Sequence, residues 1–112
     1  MMKRKHTRDL VVFMSGIPSD STLWDLSCIY RTEGLPDIGS HYVIEKNGEV
    51  TKTRPDDTHG LVDKRYNKHA VFIELLGQTS EDITNHQESA LAGVLSVLSD
   101  RYLDAQPLEL FH

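Results

Sequence analysis

The sequence predicts an α/β domain, a β-sheet with helices packed against it. Three observations predict it. Two short apolar runs, "LVVFM" at 10–14 and "AVFIELL" at 70–76, have the length and the β-branched and aromatic content of buried strands. Two other stretches repeat apolar residues at helical spacing, 21–32 and the region after Thr84. A third kind of segment, "HYVIEKNGEVTKT", places a turn dipeptide between strand-like runs. Strands interleaved with two helices bury their apolar faces most simply as layers of sheet and helix.

Each element has its own local signal. "MMKRKHTR" carries four of the twelve Lys and Arg residues, and residues 1–8 are expected to form a basic, flexible terminus. "LVVFM" is the first strand, broken by the glycine, proline and serines of "SGIPSD". An Asp20/Ser21 cap then opens a helix with Leu23, Leu26, Ile29 and Tyr30 on one face, ended by Gly34 and Pro36. Gly39, Ser40 and His41 stand directly before the next strand. That position suits either the rim of a reactive site or the start of a plain hairpin. Asn47-Gly48 is expected to fill the two left-handed positions of a type I′ turn. Residues 54–69 read as a long polar loop, and 70–76 as a core strand closed by Gly77. Thr84 and Gln87 form a capping box for a second helix whose stripe is Leu91, Val94, Leu95 and Leu98. "PLELFH" supplies a last short strand.

Composition bounds the function. A chain of 112 residues makes one domain, and it buries roughly two-thirds of its unfolded surface. A net charge of -5 and a pI near 5.6 argue against nucleic-acid or anionic-membrane partners. No apolar run reaches the ~18 residues of a membrane span, and no signal-peptide core follows the basic start. Cys28 is alone, so neither a disulfide nor a cysteine metal cluster is expected, and a reducing cytoplasm is the simplest compartment.

Chemistry has one conspicuous candidate. Glu74 interrupts a run of Val71, Phe72, Ile73, Leu75 and Leu76, and on a strand it shares a face with Phe72 and Leu76. An unpaired buried carboxylate costs several kcal/mol, so Glu74 is either paired or open to a cleft. His6, His41, His59, His69, His86 and His112 form no HxxxH or HExxH pair, and Ser15 and Ser40 lack a nucleophile motif. The residues alone predict a fold and a carboxylate, and no reaction.

The order of segments nevertheless resembles the type 2 N-acetylmuramoyl-L-alanine amidases, the family of phage amidase-type lysozymes and peptidoglycan recognition proteins. The similar pieces are "LVVFMS", "GLPDIGSHYVIEKNGEV", "RYNKHAVFIELLG", "TNHQESALAGVL" and "LELFH", spread over nearly the whole chain. The resemblance implies a central mixed sheet flanked by helices, with a peptidoglycan groove across one face that has "LPDIGSHYVIEKNGEV", residues 35–50, at its rim. It also implies a zinc site that this sequence departs from. The first ligand, a histidine in the family, falls on Phe13, with Met14 and Ser15 after it. The second matches His112, at most a remnant, and the third has no counterpart in these residues. Ser40 stands where many members carry a tyrosine, and Glu74 matches a carboxylate that serves as general base. A catalytic zinc needs three protein ligands and an open position.

With these departures the resemblance implies a degenerate amidase domain that holds no zinc and is catalytically inactive, with Glu74 as a remnant. Its groove would be built from Phe13, Ser40, Glu74 and His112, with Tyr66 on the rim, and be reused to bind or inhibit a protein partner. One alternative is a receptor that binds muropeptides without cutting them. Another is an active zinc amidase that draws its missing ligands from His59, His69 or a second chain.

Overall fold

The computed structural model describes residues 2–110, so His112 lies outside the described residues. Five strands form one mixed sheet: β1 (Asp9–Met14), β2 (Tyr42–Ile44), β3 (Val50–Lys52), β4 (Ala70–Leu75) and β5 (Gln106–Leu110), in the spatial order β3-β2-β4-β1-β5. Only the β2–β3 hairpin is antiparallel. The two helices are α1 (Leu23–Thr32) and α2 (Asn85–Arg101). The crossover from β1 to β2 through α1 runs one way across the sheet, and that from β4 to β5 through α2 runs the other. Right-handed crossovers of opposite direction put their helices on opposite faces. The packing agrees. Leu26 and Tyr30 of α1 meet Val43 and Leu76, whereas Leu98 and the Leu91/Val94/Leu95 stripe of α2 meet Leu10, Val12, Ile44, Val71, Ile73 and Leu75.

Four local readings are corrected. The cap of α1 is Thr22, not Asp20 or Ser21. Thr22 Oγ1 accepts from the Asp25 amide at 3.2 Å while Asp25 Oδ2 accepts from the Thr22 amide at 2.9 Å. A reciprocal box needs an acceptor side chain three residues on, and neither Asp20 nor Ser21 has one there. Within the same helix, Ile29 is not a core residue, being 38% exposed.

The hairpin turn is not type I′, since no described non-glycine residue has a positive φ. The Gly48 amide donates to Glu45 O, and Gly48 alone is left-handed at φ 87°. This is the three-residue loop with a glycine bulge, and the Asn47 side chain accepts from the Glu49 amide to hold it.

The basic N-terminus is laid down rather than loose. Lys3 bridges Thr58, the His59 amide donates to Met2 O, and the Arg4 guanidinium reaches Thr58 O and Ala70 O. The loop 54–69 presents backbone carbonyls there that need donors, which composition could not show.

Gln87 does more than cap. It is fully buried, and its Nε2 donates to Ile44 O and Leu76 O, each at 3.0 Å, while its Oε1 accepts from the Thr84 amide. One side chain therefore ties the start of α2 to the ends of β2 and β4.

Candidate functional site

In open α/β sheets ligands bind beyond the carboxyl ends of the parallel strands. Here β1 and β4 run side by side in parallel, with Phe13 opposite Glu74, and β2 places Val43 on the other side of Glu74. α1 crosses above this end of the sheet. Between them lies a cleft of about 250 Å³ lined by Phe13, Ser15, Ile29, Tyr30, Glu33 and Glu74, with Leu26, Leu35, Leu61 and Val62 completing its walls.

Glu74 is 2% exposed. The Tyr30 hydroxyl donates to its Oε1 at 2.9 Å. Burial pushes the Glu74 carboxyl up to about 7, against the hydrogen bond from Tyr30 and the neighbouring Ser40 hydroxyl, with Glu33 adding repulsion. Ser40 Oγ is buried beside that carboxylate but falls short of hydrogen-bond geometry with any described group. Burial, then Glu74, raises the Tyr30 phenol, so it stays a donor throughout the neutral range. The pair can thus hold or release one proton near neutral pH.

Gly39-Ser40-His41 leads into β2 of the hairpin, and none of the three lines the cleft. His41 Nδ1 accepts from the Phe72 amide at 3.0 Å, which leaves Nε2–H to donate to Thr58 O at 2.8 Å. Burial drives its pKa down to about 4, and the ring stacks on Phe72. A Cβ on Gly39 would sit 2.2 Å from Leu61 O, so only glycine lets the loop approach.

Of the residues expected in the groove, Phe13 and Glu74 line the cleft, and Ser40 lies buried beside it. Tyr66 does not line it; the ring packs with Val11, Ala70 and Phe72 under the Arg65 guanidinium. His59 and His69, the alternates for missing ligands, line a different pocket. Tyr30, Ser15 and Glu33 join the cleft without being expected there. The available signal for Tyr30 is a phenol on the buried stripe of a helix, because a buried hydroxyl needs a partner. A larger hollow of about 480 Å³ opens between the hairpin turn and the starts of α1 and α2, and it shares no residue with this cleft.

Among the described residues, the donors around the cleft do not make up a three-ligand zinc set. Phe13, on which the resemblance puts the first family ligand, packs edge-on against Phe72. Met14 points to the opposite face, into the core under α2. Ser15 Oγ is engaged with the Gly77 backbone, and Tyr30 with Glu74. Among the described residues no three His, Cys, Asp or Glu side chains gather as a metal group.

Comparison with known proteins agrees with this architecture. The family model described as N-acetylmuramoyl-L-alanine amidase matches residues 6–111. The endolysin of Enterobacteria phage K11 is 30% identical over 108 residues, covering 89% of this chain and 72% of its own. Among solved structures, the Ph2119 endolysin from the Thermus scotoductus bacteriophage superposes with a TM-score of 0.82 at 22% identity, over 96% of this chain and 73% of that one. A tyrosine-to-phenylalanine mutant of Drosophila PGRP-LB, in complex with tracheal cytotoxin, gives 0.83 at 19% identity, over 97% and 72%.

Proposed function

This chain belongs to the N-acetylmuramoyl-L-alanine amidase family, and from that premise we propose that it keeps the amidase fold as a binding module without zinc-dependent hydrolysis. The observation that carries the reading is Phe13. Its ring stands on the cleft face opposite Glu74, where the resemblance calls for an imidazole. With that position lost, at most two of the family's three ligands remain, and zinc with two protein ligands is neither retained nor tuned to activate water. Glu74 can still exchange a proton, but as a general base it supplies no Lewis acid to polarise an amide.

A protein side chain is the occupant the cleft suits best. Phe13, Leu26, Ile29, Leu35, Leu61 and Val62 give it apolar walls, and its two carboxyls are Glu33 and Glu74. An acidic, apolar cleft favours an aliphatic or cation-tipped anchor and disfavours the carboxylates of a peptidoglycan stem. The PGRP-LB complex with tracheal cytotoxin supports the second reading, a muropeptide in the cleft.

The test compares three assays on the same protein. The expected result is no release of fragments from purified peptidoglycan with or without added zinc. Partner capture from host extract should then be lost in an Ile29→Glu variant, which charges the exposed lip of the cleft. Muropeptide-induced shifts confined to cleft residues would replace the protein partner with a muropeptide. Zinc-stimulated hydrolysis would overturn the binding-module reading.

A further inference from the structure

A second pocket, of about 250 Å³, lies where the N-terminal segment crosses the loop before β4. Its seven lining residues are Met2, Lys3, Lys5, His6, His59, Lys68 and His69, and it shares none of them with the Glu74 cleft. Three are lysines and three are histidines, and no described acidic residue lines it. In a chain of net charge -5 this is a local inversion of sign. Opposed cations at close range repel unless something of the other charge sits among them. Backbone contacts hold the inversion in place: the Lys3–Thr58 bridge and the His59–Met2 hydrogen bond bring residues 2–6 against residues 59–69.

We propose that this pocket binds a tetrahedral oxyanion of the phosphate class, the charged end of a small phosphorylated ligand. Lys5 and Lys68 on flexible stems supply point charges, Lys3 adds one that it shares with Asp57, and the imidazoles supply directional N–H donors when protonated. The net negative charge of the remaining surface repels an extended polyanion, which selects a compact ligand.

The surroundings of the imidazoles are consistent. His69 Nδ1 is buried with no hydrogen-bond partner among the described residues, so nothing in the protein commits that nitrogen. Its pKa is held down by partial burial and then by Arg8, His6 and Lys68, while Asp9 opposes them. Asp57 is the other nearby carboxylate, and it is engaged with Lys3 at 3.3 Å. A bound oxyanion would reverse the sign of the field on His69 and favour the imidazolium, so anion binding and protonation reinforce each other.

The experiment tracks the imidazole resonances of the intact protein by NMR. Inorganic phosphate should give saturable shifts at His59 and His69 that chloride at equal ionic strength does not. The Lys5→Gln/Lys68→Gln double variant, both exposed positions, should bind at least ~5-fold more weakly. Sulfate, whose charge is constant in this range, should bind at least ~5-fold more weakly near pH 8 than near pH 6, because its binding is linked to protonation of His69. Tighter binding of glycerol phosphate than of inorganic phosphate supports a phosphomonoester ligand, and equal or weaker binding supports the free anion. Shifts that never saturate, that chloride reproduces, or that survive the double substitution undiminished would overturn the proposal. Sulfate affinity independent of pH would overturn it too, by removing His69 from the site.

Discussion

Glu74 of the central strand and Tyr30 of the first helix are joined by a buried 2.9 Å hydrogen bond, and this contact fixes α1 over the cleft. The phenol offsets part of the cost of burying the carboxyl. Tyr30→Phe leaves the packing volume nearly unchanged and removes the donor. The Glu74 pKa should then rise above its value of about 7, which side-chain carboxyl NMR measures directly.

The pH dependence of stability turns on two buried groups of opposite sense. Glu74 is raised from 4.5 to about 7, so the folded state holds its proton more tightly, and stability increases as pH falls from 7 to 4.5. His41 is lowered from 6.5 to about 4, so the unfolded state holds its proton more tightly, and stability is lost as pH falls from 6.5 to 4. Each amounts to about 3 kcal/mol, and they largely cancel between these limits. Glu74→Gln should stabilise the protein by ~1–3 kcal/mol near pH 8, where it removes a buried charge. It should also expose the full acid sensitivity of His41. Denaturant unfolding at several pH values checks both, and a Glu74→Gln protein with unchanged pH dependence would refute the pairing.

Gln87 offers a cleaner contrast. Gln87→Glu keeps the acceptor for the Thr84 amide but turns an oxygen toward Ile44 O and Leu76 O, where two hydrogen bonds were donated. A loss of ~2–4 kcal/mol is expected, larger than for an ordinary cap substitution, because two buried carbonyls lose their donor and face a carboxylate. The midpoint of urea unfolding reads it.

Gly60 lies flat against an aromatic ring. A Cβ there would come within 2.3 Å of the Phe72 ring. Gly60→Ala should destabilise by ~1–3 kcal/mol through overpacking, and the displaced ring should shift the His41 resonances, since the two rings are stacked.

Zinc is the last test. Elemental analysis of the purified protein is expected to show well under one zinc per chain. A chelator is expected to leave Tm unchanged, because no metal-binding free energy would be removed.

Much of the architecture is legible in local chemistry. The alternation in "AVFIELL" puts Glu74 on the face of Phe72 and Leu76, and the structure keeps it there, because side chains of a strand must alternate. Thr84 and Gln87 announce the start of α2, because an N-terminal turn with unpaired amides needs such acceptors. Gly48 marks the hairpin, although the turn around it belongs to a different class. The order of the segments carries the family. Tertiary structure alone decided the rest. Tyr30 became the partner of Glu74, 44 residues away in sequence. His41 became a closed structural link between a strand and a loop. Tyr66 turned inward from the rim, and a basic terminus that reads as solvated folded down to build a cationic pocket. Periodicity and capping act over a few residues and so are written in the sequence, whereas pairings across the sheet depend on which segments the folded chain brings together.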